Sequence, residues 1–94
     1  MMDRSSEKLL PDVVSPLRSL GGSGVDNLVA QALAVQAALD QVLVALWSAS
    51  PNGRDYQGDP SRLRLAERQY AERVNVVNAL LDSMTEEIGM LYQL

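Results

Sequence analysis

The chain has no cysteine and no histidine among its 94 residues, and Lys8 is its one lysine. Without those groups it has no disulfide, no zinc site of the usual His/Cys type, and no histidine base to activate a serine nucleophile. A single lysine close to the terminus is a poor candidate for Schiff-base chemistry. The phosphate-binding pattern G-x-x-x-x-G-K-[ST] and the dinucleotide pattern G-x-G-x-x-G are also missing. We therefore expect a protein that is not an enzyme and that holds no cofactor.

Positive charge is scarce as well. Eight basic residues face twelve acidic ones, for a net charge of −4, and no Lys or Arg occurs between Ser19 and Gly53 or after Arg73. A nonspecific nucleic-acid binder needs a basic face to displace counterions, and so does a protein that docks on an anionic membrane. We therefore expect neither nucleic acid nor a membrane as a partner. A net charge of −4 is also too small for an inhibitor whose surface mimics nucleic acid.

Targeting signals are not visible in the sequence. The N-terminus is polar where a cationic region and an apolar run would begin a signal peptide. The apolar segment 25–47 is interrupted by Asp and Gln, which argues against a membrane span. We expect a cytoplasmic protein, with the character of a small accessory protein of a bacterium or a bacteriophage.

Apolar residues recur at spacings of three and four, which predicts two long amphipathic helices. The first covers 25–48, and its coiled-coil seam is Val25, Leu28, Ala32, Val35, Leu39, Val42 and Leu46. The second covers 60–92, and its seam is Tyr70, Val74, Val77, Leu81, Met84, Ile88 and Leu91. Asp59 is a good N-cap for this second helix, and Pro60 suits its first position.

A shorter helical pattern covers 7–20 and contains two prolines, Pro11 and Pro16. A glycine-rich stretch, 21–24, separates it from the first long helix, and a loop at 49–59 joins the two long helices. These segments predict one all-α domain over 1–94. In it, an antiparallel helical hairpin carries a short N-terminal helix and assembles into a bundle or ring.

A second apolar stripe lies beside the seam of the first long helix and widens its apolar face; it consists of Val29, Leu33, Leu43 and Trp47. One partner helix cannot cover so wide a face, and small cores are commonly supported by oligomerisation. The first functional hypothesis is therefore a non-enzymatic assembly or interaction protein that associates with itself through this stripe. Another protein is a further partner that the pattern allows.

The loop and the following helix start hold the chain's most specific polar groups: Arg54, Tyr56, Arg62 and Arg64. Cations oppose the dipole at a helix N-terminus, and such violations are common at functional sites. The second hypothesis is therefore a binder that sequesters a small anionic ligand, such as a nucleotide, at subunit junctions.

Two simpler interpretations compete with that hypothesis. Tyr56 would close the end of the bundle while Arg54 pairs with a neighbouring carboxylate. Arg62 and Arg64 would pair across a subunit boundary with the acids at the other end of the helix, Asp82, Glu86 and Glu87.

A metal site at the same loop is not expected. Asp55, Gln57 and Asp59 match the first places of a calcium loop, but Pro60 stands where the pattern needs glycine.

Overall fold

A computed structural model describes residues 9–15 and 24–94. The described part of the chain is all-α, as predicted, and holds two long helices with no strand. Helix α1 spans Val25–Ser48, helix α2 spans Pro60–Leu91, and a 3-10 turn at Gly53–Tyr56 lies between them. The corresponding predicted segments were 25–48 and 60–92.

Helix α2 has a well-defined start. The Asp59 carboxylate accepts a hydrogen bond from the backbone N–H of Arg62 at 3.0 Å, and Pro60 occupies the first turn, where its missing N–H is not needed. Gly58, immediately before the cap, has φ +80, a backbone conformation that glycine adopts without steric cost. Local chemistry thus sets where this helix begins.

The two helices pack in a hairpin-like arrangement. The start of α1 contacts the end of α2 in a cluster formed by Val29, Ala32 and Leu91, with half-buried neighbours that include Val25 and Ile88. Leu43 and Val77 are the other buried apolar residues of the described part. Between the helices, the Gln36 amide donates to the Thr85 hydroxyl at 3.1 Å. The core is therefore thin and lies along a single helix–helix contact.

The short N-terminal helix predicted over 7–20 is not confirmed. Residues 9–15 are described and contain no helix, while 7–8 and 16–20 lie outside the described residues. Proline disfavours the helical conformation in the residue before it, and Pro11 and Pro16 impose that restriction on Leu10 and Ser15. The described segment instead lies beside α2, where Leu9, Leu10 and Pro11 form one wall of a groove.

Helix α1 is long and apolar enough, by length and composition alone, to cross a membrane, and 17% of its most apolar window is buried. Its Asp and Gln residues, which were expected to make it too polar, therefore do not by themselves exclude a span. The test is weak evidence for a span, because the core helix of a soluble protein satisfies it too. The low buried fraction shows that much of this apolar helix is exposed.

Candidate functional surfaces

The apolar surface of α1 extends well beyond its contact with α2. Among its described residues, only Val29, Ala32 and Leu43 are buried. On one side of this buried line, Val35 and Val42 remain exposed. The other exposed apolar residues are Leu33 and Val44, on the opposite side of the line, and Trp47 in the last turn of the helix. We call these last three residues the α1 stripe.

The four predicted interface residues divide into two pairs. Val29 and Leu43 face α2 and are buried within the chain, whereas Leu33 is 43% exposed and Trp47 is 61% exposed. Leu33 lies at the edge of the wide apolar face, beside the contact with α2. Trp47 lies five turns from Val29 on the same side of α1, so its exposure reflects its place in the last turn of the helix. Leu33 and Trp47 are therefore available to a partner.

The loop between the helices is held by its own polar groups. The Asn52 side chain accepts from the backbone N–H of Arg54 at 2.9 Å and donates to the Asp55 carboxylate at 3.0 Å. The backbone N–H of Asp59 donates to the Tyr56 carbonyl at 3.1 Å. Asn and Asp commonly stabilise turns in this way. The loop length thus reflects an ordered 3-10 turn.

The arginines of the predicted anion site do not converge within one chain. Arg62 and Arg64 are two residues apart, which places them about 200° apart around α2. Arg62 lies beside its own helix cap, with Nε 3.9 Å from the Asp59 carboxylate, and Arg64 contacts the Ser61 hydroxyl at 3.4 Å. Both arginines are exposed, so these contacts contribute little to stability.

Arg54 and Tyr56 lie in the same 3-10 turn. Tyr56 is half-buried and Arg54 is exposed. Within the described residues the Arg54 guanidinium has no ion pair, since Asp55 is engaged by Asn52 and Asp59 lies beside Arg62. One charged group in this loop is therefore free to meet a ligand or another subunit.

A groove of about 720 Å³ lies elsewhere, on a side of α2 away from the contact with α1. Its walls are Leu9–Pro11 and the α2 residues Glu72, Asn75, Val76, Asn78, Ala79, Asp82, Ser83 and Glu86. Among the described residues, three carboxylates and no cation line it, so this part of the groove does not favour an anion. The sequence did not predict this groove, because the spacing of residues along α2 does not show where segment Leu9–Pro11 lies.

Over residues 9–15 and 24–94, no cluster of three or more acidic side chains is placed to hold a metal ion. The chain matches no family model, no curated protein and no solved structure. The exposed surfaces of α1, of the loop and of α2 are therefore the evidence for function.

Proposed function

We propose that this chain is a non-enzymatic helical assembly protein, an antiparallel hairpin that associates with itself through helix α1. The observation that carries the proposal is the exposed α1 stripe. Apolar side chains gain about 25 cal/mol for each Å² removed from water, so covering Leu33, Val44 and Trp47 provides a driving force for association.

A thin intrachain core supports the same conclusion. Five apolar residues are buried in the described part of the chain, and no disulfide is available to reinforce them. Small domains with so few buried residues are marginally stable alone and are often stabilised by association. A surface that covers the edges of α1 would enlarge the core that one chain provides.

The test is analytical ultracentrifugation of the wild-type protein and of the double variant Leu33→Gln/Trp47→Gln at micromolar concentration. Both side chains are exposed in the single chain, so the variant should retain its helical circular dichroism while its mass falls toward the 10.2 kDa of one chain. Tyr92→Gln is a matched control, since Tyr92 is also exposed and lies outside α1. A wild-type protein that sediments as a monomer would refute the proposal.

The free Arg54 guanidinium favours one alternative function, the sequestration of a small anionic ligand at a subunit junction. Because Arg62 and Arg64 point to different sides of α2, such a site would need groups from a second copy. A thermal-shift series with ATP and inorganic phosphate tests it, since a ligand at one hundred times its Kd adds about 2.7 kcal/mol. Stabilisation that Arg54→Gln abolishes would support this alternative.

A further inference from the structure

We propose a second self-association surface, in which the outward side of α2 pairs antiparallel with the same side of α2 in a second copy. This inference adds an interface to the proposed function and does not depend on the α1 stripe. It is carried by a pattern of residues on α2 that faces away from α1.

The pattern is a second seam, which we call the outer seam. It occupies positions 65, 69, 72, 76, 79, 83, 86 and 90, which alternate at spacings of four and three along α2. Such a spacing keeps residues on one side of a helix and is the spacing of coiled-coil contacts. The inner seam, which includes Val77, Met84 and Leu91, packs against α1 and is centred roughly 110° around the helix from the outer seam. The outer seam is therefore available to a partner.

The ends and centre of the outer seam are apolar. Leu65 and Val76 are more than half exposed, and Ala79 and Met90 are half-buried. When two copies run antiparallel about a point between residues 77 and 78, Leu65 meets Met90 of the second copy and Val76 meets Ala79. Apolar groups therefore meet apolar groups at both ends and at the centre.

The polar positions match in the same alignment. Gln69 meets Glu86 of the second copy, and Glu72 meets Ser83. Each pair joins a donor, the amide of Gln69 or the hydroxyl of Ser83, to a carboxylate acceptor. Within the described residues these four side chains have no hydrogen bond or ion pair of their own. Their bonding capacity is thus available for a contact between copies.

Charge complementarity identifies the occupant as a second copy. Arg68 and Glu86 are five helical turns apart and lie on the same side of α2. At 1.5 Å per residue they are about 27 Å apart and cannot pair within one chain. In the antiparallel alignment, Arg68 of each copy lies beside Glu86 of the other, which gives two ion pairs related by a two-fold axis.

The groove on α2 coincides with the middle of this seam. Its walls include the seam residues Glu72, Val76, Ala79, Ser83 and Glu86, and segment Leu9–Pro11 forms its other side. Ala79 and Ser83 are small, which allows a second helix to approach closely. The groove therefore provides room for side chains of the second α2, with Leu9–Pro11 at its edge.

Cross-linking tests the alignment directly, because the natural chain contains no cysteine. The single variants Glu72→Cys and Ser83→Cys are oxidised separately and as a mixture, and covalent dimers are detected by mass spectrometry. We expect the mixed dimer to form and each variant alone to remain uncross-linked. In this alignment identical positions lie roughly 16 Å apart at 1.5 Å per residue, too far for a disulfide. Cross-linking within a single variant, or no mixed dimer, would overturn the inference.

Charge reversal provides an independent test. Arg68→Glu and Glu86→Arg should each weaken association at least several-fold, measured by sedimentation, and the double variant should restore it. Both residues are exposed, so folding should be unaffected and is checked by circular dichroism. Rescue has to arise between chains, because the two residues are too far apart within one chain. Additive weakening in the double variant would contradict the proposed pairing.

Failure of this inference and failure of the proposed function are distinguishable. If the mixed cross-link forms but Leu33→Gln/Trp47→Gln leaves the mass unchanged, α2 is the interface and the α1 proposal is wrong. If the α1 variant lowers the mass and the mixed cross-link is absent, α1 is the interface and the α2 inference is wrong. If both respond, the assembly has two interfaces and contains more than two chains.

Discussion

Gly58 lies just before the start of α2 and Gly89 lies near its end, and the two glycines contribute differently to stability. Gly58 has φ +80 just before the helix, where a side chain would be strained, whereas Gly89 lies inside α2 with no positive φ. A Cβ built at either position meets no atom within 4 Å. Conformation alone therefore distinguishes them, and a glycine's φ angle cannot be read from the sequence.

Gly89→Ala should stabilise the protein by about 0.5–1 kcal/mol, because alanine loses less backbone entropy in a helix and has room for its methyl group. Chemical denaturation of wild type and variant measures the difference, with Gly58→Ala, expected to be destabilising, as the control. Loss of stability in Gly89→Ala would mean that another chain approaches this glycine closely.

At the scale of single elements, helix boundaries follow from a few polar groups. Asp59 and Pro60 predict the start of α2, and the structure has the helix begin at Pro60 with the Asp59 side chain bonded to Arg62 N–H. The loop contains a 3-10 turn that the spacing of apolar residues does not reveal, since its order comes from the side chain of Asn52. Apolar spacing predicted a helix over 7–20, but the described residues 9–15 are not helical, because proline disfavours the helical conformation in the residue before it.

Asp59→Ala should lower the free energy of unfolding by about 1 kcal/mol, the usual cost of removing an N-cap. Asp59→Asn retains a side-chain oxygen that can accept from the Arg62 N–H and should lose much less. Thermal denaturation of the three proteins at one concentration measures both effects. Equal losses in both variants would indicate that the carboxylate acts through its charge and not as a cap.

At the scale of the whole molecule, the described part of the chain consists of one helix–helix contact with apolar surface on either side. Leu91 is 2% exposed and lies in the cluster with Val29 and Ala32, while Leu65 on the same helix is 57% exposed. Both leucines are on α2, so sequence and helix propensity do not account for the difference. Packing against the start of α1 does.

Leu91→Ala should destabilise the protein by about 2–5 kcal/mol, because it removes a buried side chain and leaves a cavity. Leu65→Ala, the matched control, should cost far less at concentrations where the chain is monomeric. Urea titrations at submicromolar concentration, below the range in which association is expected, compare the two variants. A large effect of Leu65→Ala that appears only at high concentration would indicate burial between copies.

If association completes the core, the Tm should rise with protein concentration, since only the folded chain forms the interface. Differential scanning fluorimetry from one to several hundred micromolar measures this dependence. The variant Leu33→Gln/Trp47→Gln should have a weaker dependence than wild type. A Tm independent of concentration in wild type would argue against both self-association surfaces.

Spacing and capping residues predict that the chain is all-α with long helices at 25–48 and 60–92, because helix formation depends on neighbours three and four positions away. The same local pattern also contains the outer seam from Leu65 to Met90. Whether this seam is exposed depends on how α2 packs, because the contact with α1 buries Leu91 and leaves Leu65 and Val76 in water. Likewise, the Arg54 guanidinium is free because the folded loop engages Asp55 with Asn52 and places Asp59 beside Arg62.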